Sequence, residues 1–313
     1  MAYTFVDNWI RIPDSESART NGRTHAVTVT SEGNVVIFHQ AHNGLLTYDP
    51  DGQLISAVGG DRWLGAHGLT RIEQGGEAFL WLVDVGSTEV AKTTLSGETV
   101  MTIDKPDIPE YQGEKPLAYI PTWAAENPLN GEVWVANGYG SNFVHRYAKD
   151  GAYMETLRGS EEAGEFREPH GLCFRTVGDA VELWITDRAN HRIQIFDGDG
   201  RFLRSSMNCH SPCCFDFRGD TVLVPELFTG AKILDANTFE VLEEVGANAH
   251  ISPKADGRWW PPIAPEGWPN LAGTDWVQPG RLNSPHGGAI DADGNIYIVE
   301  WIVGGRVTKF LKS

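Results

Sequence analysis

The sequence predicts an all-β fold, a six-bladed β-propeller, from three observations. The first is a recurring motif, Ala66-His67-Gly68-Leu69, Pro169-His170-Gly171-Leu172 and Pro285-His286-Gly287-Gly288. The second is that each copy leads into a Gly-containing turn and then an apolar strand that ends in an acid. Phe79-Leu80-Trp81-Leu82-Val83-Asp84, Glu182-Leu183-Trp184-Ile185-Thr186-Asp187 and Asn295-Ile296-Tyr297-Ile298-Val299-Glu300 are the three examples. The third is the period, because units of roughly 40 residues with several short strands each are the blades of a propeller, which repeats one position around a central channel.

Taken in chain order, blade 1 opens at His25-Ala26-Val27 and continues through Asn34-Val35-Val36-Ile37-Phe38. Blade 2 opens at His67, and blade 3 at Pro121-Thr122-Trp123, with Val133-Trp134-Val135 as its second strand. Blade 4 opens at His170 and adds Arg192-Ile193-Gln194-Ile195-Phe196. Blade 5 is the weakest copy, from Pro212-Cys213 through Thr221-Val222-Leu223-Val224. Blade 6 opens at His286 and runs out of chain after Arg306-Val307-Thr308-Lys309-Phe310, so the segment from Tyr3 to Ile10 is expected to close it as a fourth strand and remove an open edge. Residues 1–313 therefore read as a single propeller domain, interrupted at about 251–283 by an insertion that carries Trp259, Trp260, Trp268 and Trp276. A Pro- and Trp-rich loop attached just ahead of His286 is expected to act as a lid, with Trp259 and Trp260 against the substrate; a contact between copies of the chain is the alternative. A shorter insertion, Lys105 to Pro116, is expected to flank the same face.

Composition narrows the function classes. The formal net charge is −17 and the pI about 4.9, which disfavours nucleic acid as a partner, since phosphate binding needs a basic footprint. No apolar run approaches a membrane helix, so no membrane association is expected. The start Met1-Ala2-Tyr3-Thr4 carries no secretory signal, and four Cys without regular spacing form no disulfide framework, so the expected location is cytoplasmic.

The repeat carries the chemistry. Equivalent positions of different blades face one another across a channel, so His67, His170 and His286 are expected to converge as the three-imidazole ligand set of an open Zn²⁺ site. His25 holds the same position in blade 1, as a fourth ligand or as a substrate contact, and Cys213 holds it in blade 5, where buried packing is favoured. His39, His42 and His210 are expected to line the same mouth, whereas His145, His191 and His250 read as surface or packing residues. Asp84, Asn137, Asp187, Glu226 and Glu300 end successive second strands and are expected to hold blade turns by hydrogen bonds.

The stretch Asp187-Arg188-Ala189-Asn190-His191-Arg192-Ile193-Gln194-Ile195-Phe196, with the three His contexts and Asn137-Gly138-Tyr139-Gly140-Ser141-Asn142, resembles NHL-repeat propellers and, among them, the peptidyl-α-hydroxyglycine α-amidating lyases. The resemblance runs from about His25 to Phe310. It implies a six-bladed propeller with zinc on His67, His170 and His286 and with Tyr139 as the catalytic Tyr, cleaving a peptidyl α-hydroxyglycine to a peptide amide and glyoxylate. Three positions depart from that pattern. Gln40 stands where the family has a catalytic Arg, Ser284 where it has a Met, and Gly287 where it has an Asp that binds a structural calcium. Ca²⁺ is therefore expected to be absent or weakly held, and carboxylate recognition by Gln40 is not expected.

The expected activity is thus metal-dependent lyase chemistry on a small or peptide-like carbinolamide. The hydroxyl loses a proton, the carbon–nitrogen bond breaks, and an amide and a carbonyl compound leave. A zinc-dependent hydrolase or hydratase of a small molecule is one alternative. A non-catalytic NHL propeller that binds a protein or glycan partner is the other.

Overall fold

The computed structural model describes residues 3–6, 9–247 and 277–313. Trp259, Trp260, Trp268 and Trp276, and nearly all of the insertion that carries them, lie outside the described residues. Among the described residues, six antiparallel sheets have four strands each, and the chain is a six-bladed β-propeller. It divides into two compact units, residues 65–207 on the one hand and residues 1–64 with 208–313 on the other.

The unit formed by residues 65–207 contains blades 2, 3 and 4. Blade 2 runs through Ala66–Gln74, Glu77–Asp84, Glu89–Thr94 and Thr99–Thr102; blade 3 through Trp123–Glu126, Val133–Asn137, Phe143–Tyr147 and Tyr153–Leu157; blade 4 through Pro169–Val177, Ala180–Asp187, Arg192–Asp197 and Phe202–Ser206. Second strands are the buried ones. Each carries a Trp three residues before its end, Trp81, Trp134 and Trp184, and all three are fully buried. A cation lies over each indole: Lys92 at 5.9 Å, Arg146 at 5.3 Å and Arg204 at 5.8 Å.

The other unit contains blades 5, 6 and 1. Blade 1 runs through Thr24–Val29, Val35–His39, Leu45–Tyr48 and Leu54–Val58; blade 5 through Asp216–Arg218, Thr221–Glu226, Gly230–Asp235 and Val241–Val245; blade 6 through Pro285–Ile290, Ile296–Glu300 and Arg306–Lys312. The fourth strand of blade 6 is the N-terminal Tyr3–Val6, paired antiparallel with Arg306–Lys312 in the register Tyr3 to Lys312. That strand is shorter than the sequence predicts. Ile10 has left the sheet and is buried with Val27, Val35, Ile37 and Val299. Blade 5 also starts later than predicted: at Pro212, which has no amide hydrogen to pair, only an isolated bridge to Glu226 forms, and the first strand spans three residues.

The residues ending the second strands have a common task. Asp84 accepts the amide N–H of Gly65 at 2.8 Å, Asn137 that of Ile120 at 2.6 Å and Asp187 that of Arg167 at 2.7 Å. Glu226 accepts from His210 at 2.8 Å and Glu300 from Asn283 at 2.6 Å, so these two, irregular by sequence, do the same work. Each satisfies a backbone donor of the loop entering its own blade, a group that costs about 1–3 kcal/mol when buried unpaired. Blade 1 is the exception, because His39 occupies this position, opposite Thr24.

Candidate active site

Every His at a blade opening sits on a β-bulge. Pairing of the first and second strands slips between Thr24 and Ala26, between Ala66 and Gly68, between Pro169 and Leu172, and between Pro285 and Gly287. The extra residue in each slip includes His25, His67, His170 or His286, and a bulge re-aims a side chain that the regular pleat would point elsewhere. The glycine after His67 and His286 permits the crowding this produces. A Cβ on Gly68 would lie 2.5 Å from the Thr122 carbonyl oxygen, and one on Gly287 would lie 2.7 Å from that of His25. No side chain, and hence no calcium-binding carboxylate, fits at Gly287 without a shift of the backbone.

Within residues 65–207, His67 and His170 are fully buried, with ring centroids 4.8 Å apart. His67 Nδ1 lies 2.8 Å from the Thr122 carbonyl oxygen, which can only accept, so Nδ1 carries the hydrogen and Nε2 presents a lone pair. Burial pushes this imidazole down to about 3, and the nearby Arg188 charge acts in the same direction, so the ring is neutral at physiological pH. The Tyr139 hydroxyl is 3.0 Å from His67 Nε2 and 3.2 Å from His170 Nε2. Arg188 Nη2 donates to the same oxygen at 3.1 Å, while its guanidinium pairs with Glu168 at 2.6 Å. One phenol oxygen thus sits among two imidazole nitrogens and a buried cation.

In the other unit His286 repeats the device. Its Nδ1 lies 2.8 Å from the carbonyl oxygen of His25, the opening residue of blade 1, just as His67 binds that of Thr122, the opening residue of blade 3. The His25 and His286 rings are 4.5 Å apart, and both residues are buried. His25, His67 and His286 each offer one imidazole nitrogen as a candidate metal ligand. Trp301 stands edge-on to His25 at 6.5 Å and carries the Arg23 guanidinium on its face at 4.7 Å.

The remaining predicted residues divide. Gln40 is half-buried, and its backbone N–H donates to Arg23 O at 2.9 Å. The Ser284 hydroxyl is buried without a hydrogen-bond partner among the described residues, two positions before His286. His39 is buried, with neither ring nitrogen hydrogen-bonded among the described residues, and desolvation pushes it down to about 4. His42 is exposed and paired with Asp61 at 2.8 Å. Cys213 packs with Leu227 and Phe228, and none of the four Cys is in a disulfide. His145, which the sequence reads as a surface or packing residue, is fully buried and hydrogen-bonded at both ring nitrogens.

Sequence reasoning missed Arg188 and Arg23. The signal for Arg188 was available in Asp187-Arg188-Ala189-Asn190, where a cation directly follows the residue that ends the second strand of a His-bearing blade. Arg23 immediately precedes the first strand of blade 1, two residues before His25.

No family model matches the chain. Of curated proteins, peptidyl-glycine alpha-amidating monooxygenase B of Xenopus laevis is 28% identical over 167 residues, 51% of this chain and 18% of the frog protein. A probable peptidyl-alpha-hydroxyglycine alpha-amidating lyase of Caenorhabditis elegans is 25% identical over 56% of this chain and 55% of its own length. NHL repeat-containing protein 3 of Mus musculus is 28% identical over 60% of this chain and 56% of its own. The matched segments thus span less than two thirds of each relative. Among solved structures, a streptogramin B lyase superposes with a TM-score of 0.59 over 99% of this chain and 97% of its own, at 15% identity, a likeness of fold. The chain is a six-bladed β-propeller that is similar to NHL repeat-containing proteins and to peptidyl-α-hydroxyglycine α-amidating lyases.

Proposed function

We propose that the protein is a zinc-dependent lyase that splits a carbinolamide into an amide and a carbonyl compound. His67, His170 and His286 are the proposed metal ligands and Tyr139 the proposed proton-transfer group. The observation that carries this reading is the Tyr139 oxygen, held within 3.2 Å of two imidazole Nε2 atoms and of Arg188.

The residues fit a divalent metal by their donor chemistry. His67 and His286 each have Nδ1 committed to a backbone carbonyl, which leaves Nε2 for coordination, and such a carbonyl commonly fixes the tautomer of a metal-bound His. Zinc suits an all-imidazole set, and His286 is the copy of His67 and His170 in its own blade. Bound there, zinc would polarise the substrate hydroxyl as a Lewis acid.

The chain's own groups account for the proton. Tyr139 takes the hydroxyl proton of the carbinolamide, the carbon–oxygen double bond forms as the carbon–nitrogen bond breaks, and the departing nitrogen takes up one proton. The positive charge of Arg188 stabilises the phenolate that does this. Arg23 is the proposed partner for an anionic end of the substrate, a task that neutral Gln40 beside it cannot perform.

The test has two parts. Elemental analysis of the purified protein is expected to find about one zinc per chain, and His67→Ala, His170→Ala and His286→Ala to lose it. Incubation of the zinc-loaded protein with N-acyl-α-hydroxyglycines and with N-(hydroxymethyl) amides is expected to release aldehyde or glyoxylate. Full metal occupancy in all three variants, or no release from either series, overturns the reading. The contact of the His25 ring with His286 favours one rival, a closed four-ligand structural site; retention of zinc by the three single variants, with loss only in a His25 double variant, would point there.

A further inference from the structure

Tyr139 is 36% exposed, with its ring against those of His67 and His170 and the Arg188 guanidinium on its face. Its position depends on the turn that carries it, Asn137 to Asn142. That turn is fastened at its far end by Asn142, whose side-chain oxygen accepts the N–H of Glu168 at 2.9 Å. Glu168 in turn pairs with Arg188. At its near end it is fastened by a residue from outside the blade.

We propose that Tyr111 is a positioning residue for Tyr139, and that the insertion from Lys105 to Pro116 exists to deliver its hydroxyl beneath the Tyr139 turn. Tyr111 ends the short 3₁₀ helix Pro109–Tyr111, and its ring is buried against Ile108, Phe143 and Tyr119. Its hydroxyl makes three bonds: to Asn137 Nδ2 at 2.7 Å, to Ser141 Oγ at 2.8 Å and to His145 Nε2 at 2.7 Å. A phenol has one hydrogen and two lone pairs, so its capacity is filled. Burial pushes the His145 imidazole down to about 4, which leaves it neutral, and Thr156 Oγ1 at 2.9 Å engages its Nδ1. The phenol accepts from Asn137 Nδ2, and its single hydrogen goes to one of Ser141 Oγ and His145 Nε2.

Asn137 and Ser141 flank Tyr139 at equal distance along the chain. The Tyr111 oxygen thus bonds both feet of the turn, which are also joined directly by Asn137 Nδ2 to Ser141 Oγ at 2.8 Å, while Asn137 Oδ1 accepts from Ile120 N at 2.6 Å and Asn137 Nδ2 donates to Ala118 O at 3.0 Å. The backbone N–H groups of Gly140 and Asn142 close the turn onto Asn137 O at 3.3 and 3.2 Å. Removing the Tyr111 hydroxyl would take away the oxygen shared by Asn137, Ser141 and His145 and leave the feet of the turn to their direct Asn137–Ser141 bond, with no contact to the metal ligands disturbed.

The decisive variant is Tyr111→Phe, which keeps the ring and its packing. Protein labelled with ¹³C at the tyrosine Cζ allows the Tyr139 resonance to be assigned by its loss in Tyr139→Phe. In Tyr111→Phe that resonance is expected to shift or split, and the amides of Gly140 and Asn142 to exchange at least tenfold faster, with zinc content unchanged. The kinetic arm rests on the lyase reading: kcat for a carbinolamide is expected to fall about 10- to 100-fold with KM nearly constant, the signature of a misplaced reacting group. A Tyr139 resonance and turn exchange identical to wild type overturn the proposal. A moved resonance in a protein that turns over no carbinolamide, wild type included, sinks the lyase reading and leaves the positioning role standing. Should Tyr111→Phe not fold, Ser141→Ala removes one foot of the tie without touching the ring and is read in the same way, an unmoved Tyr139 resonance again being fatal.

Discussion

Blades 2 to 4 keep one plan, whereas blades 5, 6 and 1 each break it. In residues 65–207 the position three before the end of the second strand is always Trp, with a cation over the indole, and the end itself is always Asp or Asn. In the other unit the same two positions read Val36 and His39, Leu223 and Glu226, Tyr297 and Glu300. The regular unit also holds the hydrogen-bonded assembly of His67, Tyr139, His170 and Arg188. The irregular one holds the His25 ring edge-on to that of His286 and the Arg23 guanidinium over Trp301. The regular unit thus carries the proposed proton-transfer group on a repeated scaffold, whereas the irregular one has other side chains at the scaffold positions.

The largest expected effect breaks the regular unit at its chemistry. Tyr139→Phe is expected to keep zinc and substrate binding and to lose roughly 10²- to 10⁴-fold in turnover, the usual weight of one proton-transfer group. Wild-type turnover in that variant removes Tyr139 from the mechanism.

Next in size is the scaffold itself. Trp134→Ala is expected to cost about 3–5 kcal/mol, and Val36→Ala, at the matching position of blade 1, clearly less, since the cavity left behind is smaller. Urea unfolding of both variants measures this, and equal losses would mean that the repeat position is not used differently in the two units.

The third effect is on stability against pH. Burial holds His39 and His145 at about 4, below the ordinary value of 6.5. The unfolded chain therefore binds these protons first as the pH falls. Their contribution is complete above about pH 6.5 and is lost progressively down to about pH 4, by roughly 3 kcal/mol for each group at most. Neither ring nitrogen of His39 is hydrogen-bonded among the described residues, so His39→Asn, which restores the side chain found in blade 3, is expected to flatten the loss between pH 6.5 and 4. A melting curve as pH-sensitive as wild type in His39→Asn would show that this ring is not responsible.

The smallest effect concerns specificity in the irregular unit. Arg23→Gln is expected to raise KM about tenfold for a carbinolamide bearing a carboxylate, the scale of a lost charge-assisted hydrogen bond, and to leave that for a neutral one unchanged. Equal changes for both substrates would reduce Arg23 to a packing role on Trp301.

Blade openings other than that of blade 5, the order of strands, the contribution of the N-terminus to blade 6 and the four His at equivalent positions were legible in the sequence, because a repeat announces itself through spacing alone. Tyr139 was legible only through resemblance, since nothing in its own context separates it from other turn aromatics. Arg188 stands in the sequence directly after the strand-ending Asp187, but its 6% exposure and its bond to Tyr139 are properties of the folded site. His145 and Tyr111 were hidden for a stronger reason. They lie 34 residues apart on a strand and in an insertion, and only their meeting at one phenol oxygen gives either a role.

Patterns that recur along the chain survive as sequence, so the alternation of turn and apolar strand and the His-Gly pair by themselves determined a propeller with imidazoles at its blade openings. Which nitrogen of each imidazole is available was decided by the tertiary structure, through the carbonyls of Thr122 and His25 that claim Nδ1 of His67 and His286. The tertiary structure also decided what surrounds Tyr139 and that the His39 ring is buried without a hydrogen bond among the described residues. The physical reason is range: periodicity is a local property set by backbone geometry, whereas a hydrogen bond is made or lost within a few tenths of an ångström between residues that the sequence separates by tens of positions.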